Sequence, residues 1–426
     1  MMNFCKLLMK SYALTSLIFL LGIVRGTAGD KVLEYVDKVY EPNIKTPFFI
    51  KAGSNVDNVP HPAVVSIHDP RPLVLKFDEI DTDNADYYFA TILHCNYEWQ
   101  PSKLSELQFL HEYNEFSIDE YDFSVGTKVP YTHFTFPIPR VKVPGNYLLV
   151  VYRGQDRKDI VISRRFVVFD QRVKILSEVG LSTGTAQRRV NQQIDFTLDY
   201  NGISVPNPYL DIKVVIRQNQ RWDNAIDDLQ PSMVKEDIRQ IDYRFFDFES
   251  NFKGGNEFRF FDIRSMHFGG RNVERFTISD TQIDAYLFAD RSRGSQPYTF
   301  IDDQNGGFTI ENLERSAHNT ESEYIKVHFY LQSEQSIGDD VFVAGAFTGW
   351  SYDEVYRMNY LKASKMYAKS LLLKQGLYDF VYYTPTLSDP YFFEGSHAET
   401  TNQYEIIIYL EDAMMGTDVV IGYTSF

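Results

Sequence analysis

Apolar and polar positions alternate with a period of two along most of the chain, and no stretch beyond the N-terminus sustains the 3.6-residue period of an amphipathic helix. The pattern predicts strands at 73–77, 87–94, 134–138, 147–152 and 160–169. Between the second and third of these, Leu104, Leu107 and Leu110 allow a short helix or an irregular excursion within 103–120. A second group of strands follows at 173–176, 193–200, 210–217, 257–262, 286–289 and 298–301. Asn201-Gly202 reads as a hairpin turn within it, and Asn305-Gly306-Gly307 as a turn before 308–310. A polar stretch at 317–323 separates these from a last group at 324–331, 341–350, 371–383, 404–410 and 419–426. Strands and turns at this spacing predict an all-β chain of sandwich modules at 30–170, 171–320 and 321–426.

Two runs in the last module carry more detail. Ala344, Gly345 and Ala346 lie between apolar 341–343 and Phe347, so a strand can pass close to a neighbouring backbone before turning at Gly349, with Trp350 at the mouth of the turn. Lys374-Gln375-Gly376 reads as a tight reversal, with Gly376 supplying a positive φ. Together these runs resemble the early set-type β-sandwich of glycogen- and starch-binding modules, in which a G-x-F-x-x-W turn precedes a glycine-led aromatic strand. The expected fold is therefore two tandem immunoglobulin-like β-sandwich modules with a C-terminal early set-type sandwich. In sugar-binding relatives of that sandwich, stacked aromatics form a platform and a lysine helps bind hydroxyls. Here Val381 stands in the lysine's place and 384–390 offers no second tryptophan. Trp350 is the candidate glycan-binding residue under this reading, against the simpler reading of a ring packing the turn onto its own sandwich.

Composition agrees with strands. Aromatics reach 15% and are mostly Phe and Tyr, which favour strands, and a 44% hydrophobic share supplies core material for about three domains. The N-terminus reads differently. Lys6 and Lys10 precede an apolar run at 12–24 and the small residues Gly26-Thr27-Ala28, the layout of a signal peptide over residues 1–28. The run is shorter than the roughly 20 residues that span a bilayer, so export is expected, with no membrane insertion of the mature chain. Cys5 lies in that leader, which leaves Cys95 alone and excludes an intrachain disulfide in the mature chain. A formal charge of −16 argues against nucleic acid as a partner.

Candidate chemistry is sparse. His94 and Cys95 are neighbours on a strand and point to opposite faces, so they read as buried structure with Trp99 packed below and not as a thiol–imidazole pair. Asp78, Asp81, Asp83 and Asp86 form an acidic run that reads as a solvated loop or a calcium site, although it lacks the glycine and the later glutamate of an EF-hand. Of Arg164 and Arg165, one is expected to face inward and to pair with a carboxylate. No H-E-x-x-H or P-loop pattern occurs, and no catalytic residue, metal ligand or cofactor is assigned.

A longer resemblance runs through the whole mature chain. It rests on His94-Cys95-Asn96-Tyr97-Glu98-Trp99 with Pro101-Ser102, on Tyr131-Thr132-His133-Phe134, Pro144-Gly145-Asn146-Tyr147 and Ser163-Arg164-Arg165-Phe166. It continues through Gly345-Ala346-Phe347-Thr348-Gly349-Trp350, Leu373-Lys374-Gln375-Gly376 and Asn402-Gln403-Tyr404-Glu405. These segments resemble the plug protein family of the type IX secretion system of Bacteroidota. The resemblance implies a non-enzymatic periplasmic protein that caps the outer-membrane translocon barrel while no cargo passes. An α-glucan-binding accessory module is the alternative.

Overall fold

The computed structural model describes residues 31–54, 58–80, 85–227, 229–316 and 318–426. The predicted signal peptide, and Asp81 and Asp83 of the acidic run, lie outside the described residues. The described chain is almost wholly β, in six sheets that pack as three pairs. All strand pairs are antiparallel except Val64–Ser66 against Ile160–Phe169 and Ile283–Leu287 against Tyr324–Gln332. Among the described residues the α-helices are single turns; the one at Glu106–Phe109 fills the excursion expected at 103–120.

The first unit packs a sheet built on Tyr88–Cys95, Gly145–Arg153 and Ile160–Phe169 against one built on Ile44–Lys51, Leu73–Ile80 and Tyr131–Pro137. Tyr88 meets Phe134 edge to face across this core, with ring centroids 5.1 Å apart. The second unit sets Lys174–Leu181, Asn191–Asp199 and Gln240–Tyr243 against a three-stranded sheet of Ile212–Gln218, Tyr404–Asp412 and Thr417–Ser425. The third packs Arg259–Asp262, Phe308–Ile310, Phe342–Ala344 and Gly376–Tyr383 on a sheet centred on Tyr324–Gln332 and Met366–Lys374.

The layers are shared between units, which explains why several strands are apolar on both faces. In Gly145–Arg153, Tyr147, Leu149 and Val151 face the first unit's own core, while Leu148 and Val150 pack on Val215, Ile407, Tyr409 and Val420 of the second unit. Such strands read as continuous apolar runs because neither face meets water. Leu73–Ile80 is buried along its whole length in the same way, with Leu75 and Phe77 in the first core and Val74 in the third.

Strand pairing also crosses the sequence order. Tyr404–Asp412 and Thr417–Ser425, expected to complete the C-terminal module, join the sheet of Ile212–Gln218 instead, Tyr404–Asp412 pairing with that strand on one edge and with Thr417–Ser425 on the other. Each of these runs needs apolar cover on two sides, and the layer between the first two units provides it. Asn201-Gly202 is a turn but not a hairpin, since the strands on either side of it lie in different sheets. Residues 298–301 form no strand. At Gly376 the chain steps between the two sheets of the third unit, without the positive φ expected for a hairpin. Glycine is required there for another reason: a Cβ would lie 2.4 Å from the Thr309 carbonyl oxygen. The close approach expected near Gly345 is present, with a Cβ there 2.7 Å from the Asp379 carbonyl oxygen.

Candidate functional site

The first and third units meet around a buried carboxylate. Asp78 lies in Leu73–Ile80 and is 1% exposed, so it is not the solvated loop residue that its acidic neighbours suggest. Its Oδ1 bonds His133 Nδ1 at 2.6 Å; its Oδ2 accepts from Lys374 Nζ at 2.6 Å and from the Tyr324 hydroxyl at 2.7 Å. Strand alternation creates this placement: with Leu75 and Phe77 turned into the first core, Asp78 must face the third unit. Burial opposes ionisation, but the Lys374 ammonium and the donated hydrogen bonds hold the Asp78 carboxyl below its ordinary range. At the other end of the acidic run, Asp86 pairs with Arg153 at 2.7 Å. Among the described residues no three His, Cys, Asp or Glu side chains group as metal ligands.

His94 and Cys95 are both buried, on opposite faces. The His94 ring packs on Tyr147 and Phe109, whereas Cys95 lies in the layer with Trp99, Leu148 and Val215. Burial pushes the Cys95 thiol up to about 12 and the His94 imidazole down to about 4. Neither state supports a thiolate nucleophile.

All three units contribute to a cleft of about 720 Å³. Arg164 and Arg165 come from the first unit; Arg217, Asn219, Trp222 and Gln403 from the second; Gln304, Asn305, Trp350 and Tyr352 from the third. The turn that presents Trp350 has two consecutive left-handed residues, Gly349 at φ 62° and Trp350 at φ 56°. The indole of Trp350 is half-buried against Phe258 and Gly306, and the Arg221 guanidinium lies 4.3 Å from its centre. Arg221 is itself fixed by Asp223 and by the Tyr391 hydroxyl at 2.9 Å.

Each of the three tryptophans carries a guanidinium in this way. Arg165 lies 4.6 Å from the ring of Trp99, and Arg217 lies 4.2 Å from that of Trp222. Trp99 and Trp222 meet edge to face at 4.9 Å, tying the first unit to the second. Among the described residues, neither Arg164 nor Arg165 forms the side-chain ion pair with a carboxylate that is expected for one of them. Arg165 donates from Nε to the Tyr35 carbonyl at 2.7 Å and spends its charge on indole rings, while Arg164 Nε is buried without a partner. Sequence reasoning picked out Trp350 but missed Arg217, Arg221 and Trp222; the scarcity of tryptophan was the available signal.

Behind the cleft wall, Asp303 accepts from the amides of Phe258 and Asn305, and Asp379 accepts from that of Gln304. Burial raises these carboxyls to about 6 and about 7 respectively. Their oxygens hold the 303–307 turn in place.

Residues 44–170 match the family model described as the type 9 secretion system plug protein 1st domain. A crystal structure of a hypothetical protein from Parabacteroides merdae superposes with a TM-score of 0.85 at 26% identity, over 93% of this chain and all of that one. The likeness to the type 9 secretion system plug proteins is thus carried by residues 44–170. The matched segment coincides with the first unit, from Ile44 at the start of its strand to the end of Ile160–Phe169. The matched segment thus supplies Asp78, which meets Lys374 and Tyr324 of the third unit, and Arg165, which lies over Trp222 of the second. A comparison with curated proteins gives no match. Two further structures align at low similarity. One combines a manganese lipoxygenase of Gaeumannomyces graminis with part of a zonadhesin of Komagataella pastoris (9% identity, 91% of this chain and 94% of that one, TM-score 0.14). The other is a marsupial T cell receptor (7% identity, 85% and 97%, TM-score 0.15), and at such scores neither bears on the fold.

Proposed function

We propose that the chain is a non-enzymatic periplasmic protein that binds and seals the periplasmic opening of the type 9 secretion outer-membrane barrel when no cargo is passing. The observation that carries this reading is the match of residues 44–170 to the plug domain. The architecture supports it physically. Three sandwiches that share buried layers resist bending between units, and a stiff body can close an aqueous opening through a broad interface without chemistry. Among the described residues no helix is long and apolar enough to cross a membrane, so attachment to the outer membrane is assigned to protein contact. Release follows when a competing event at the barrel favours the unplugged state.

The α-glucan reading requires a free face on Trp350 and a neighbouring ring parallel to it. Arg221 covers that indole, and the nearest aromatic, Phe258, meets it at 65°. Affinity capture from native outer membranes tests the proposal: a very large barrel protein should co-purify with the chain, and capture of polysaccharide alone would overturn it.

A further inference from the structure

Among the described residues, the acidic and basic side chains named next each have a charged, hydrogen-bonding or aromatic partner within the protein. Asp37 accepts from the Arg165 amide at 2.6 Å, Asp223 is paired with Arg221, Asp353 accepts from the Ser351 hydroxyl at 2.6 Å, and Glu34 is paired with Lys38. Arg217 lies 2.8 Å from Glu405, and Arg165 is engaged by the Tyr35 carbonyl and the rings of Trp99 and Trp222. Arg164 has no such partner. Its Nε is buried and bonded to nothing, and its side chain lines both this cleft and an adjoining one of about 330 Å³.

Three more orphaned atoms line the same cleft, one of them Nε of the Arg217 guanidinium that pairs with Glu405. Gln304 Nε2 is a buried donor without an acceptor, and Asn305 Oδ1 is a buried acceptor without a donor. Buried polar atoms are seldom left unpaired, so such a set marks a place where a ligand completes the bonding. A free guanidinium fork fits a carboxylate. One free amide donor beside one free amide acceptor fits a peptide unit, which offers one carbonyl and one N–H. A pyranose would need an open ring face, and the indoles of Trp222 and Trp350 already carry Arg217 and Arg221.

We propose that this cleft receives an extended acidic peptide segment. A side-chain carboxylate sits on the Arg164 fork, and an adjacent peptide unit pairs with Gln304 and Asn305. The inference goes beyond the sealing role, because it specifies peptide chemistry whatever protein carries the segment.

The three tryptophans give a direct readout, since a chain labelled with ¹⁵N-tryptophan yields one indole signal for each. Trp222→Phe and Trp350→Phe assign two of them. Titration with acetyl-Gly-Glu-Gly-amide should move the Trp222 and Trp350 signals, while the Gln counterpart of the peptide should bind about tenfold more weakly or worse. Arg164→Gln should weaken the Glu peptide by a similar factor, and Arg164→Lys by less, with melting temperatures near that of the parent. Equal binding of the Glu and Gln peptides, indifference to Arg164→Gln, or no shift up to about 10 mM peptide would overturn the proposal. So would glucuronate displacing the signals more strongly than the peptide, which would assign the site to acidic sugars.

Discussion

Asp78 and Lys374 are 296 residues apart in sequence, yet Asp78 Oδ2 and Lys374 Nζ meet at 2.6 Å in the interior between the first unit and the third unit. Both side chains are almost fully buried, so removing one strands the other without water or counter-charge. Asp78→Ala should cost about 3–5 kcal/mol in urea unfolding, and the double replacement Asp78→Met with Lys374→Met should cost less than the single. The carboxyl titrates below its ordinary range, so its contribution is present above that range and lost as pH falls through the lower folded value. Asp78→Asn should therefore flatten the acid limb of the stability profile.

His94 supplies a second pH dependence, of different origin. Both ring nitrogens are buried without partners, and burial lowers the imidazole to about 4. Between the ordinary histidine value near 6.5 and that lower one, the unfolded chain binds the proton and the folded chain does not, so stability falls as pH drops through this window. The loss should be roughly 3 kcal/mol by pH 4. His94→Leu should abolish it, as read by thermal melts at pH 7, 6, 5 and 4.

Cys95 should be silent toward alkylation. Its thiol is pushed up to about 12 and sits in the layer between the first two units. For a chain starting at residue 29, iodoacetamide at pH 8 should leave the intact mass unchanged in the folded state and add one label in 6 M guanidinium. Fast labelling of the native protein would place the thiol in an exposed setting instead.

Two glycines should separate backbone strain from collision. Gly349→Ala imposes a left-handed φ of 62° on alanine with its nearest neighbour atom 3.8 Å away, and should cost about 1 kcal/mol. Gly376→Ala drives a Cβ to within 2.4 Å of the Thr309 carbonyl oxygen, and should cost about 3 kcal/mol or prevent folding. Denaturant midpoints of the two variants provide the comparison.

Much of the strand content was legible because Val, Ile, Phe and Tyr runs such as 147–152 and 160–169 admit little else. Partner choice was not. The run at 404–410 reads the same whether it joins its sequence neighbours or Ile212–Gln218, because periodicity reports burial and not the identity of the covering layer. Asp78 was misread because an acidic neighbourhood looks solvated, and its partner Lys374 lies in a run singled out only for its glycine. Trp350 was found from a turn pattern, but the guanidinium that covers it comes from Arg221, far away in sequence and marked by no motif. The sequence does not say which of Arg164 and Arg165 turns inward, and at Arg165 aromatic faces stand where a carboxylate is expected.

The central claim is that this molecule works by occupying a secretion barrel. Its most direct test is to capture the tagged full-length chain from native outer membranes and to identify the co-purifying proteins by mass spectrometry. The account predicts a very large β-barrel of the type 9 secretion system in near-stoichiometric amount. Recovery of the chain from those membranes with no such barrel, at low salt and in mild detergent, would contradict it.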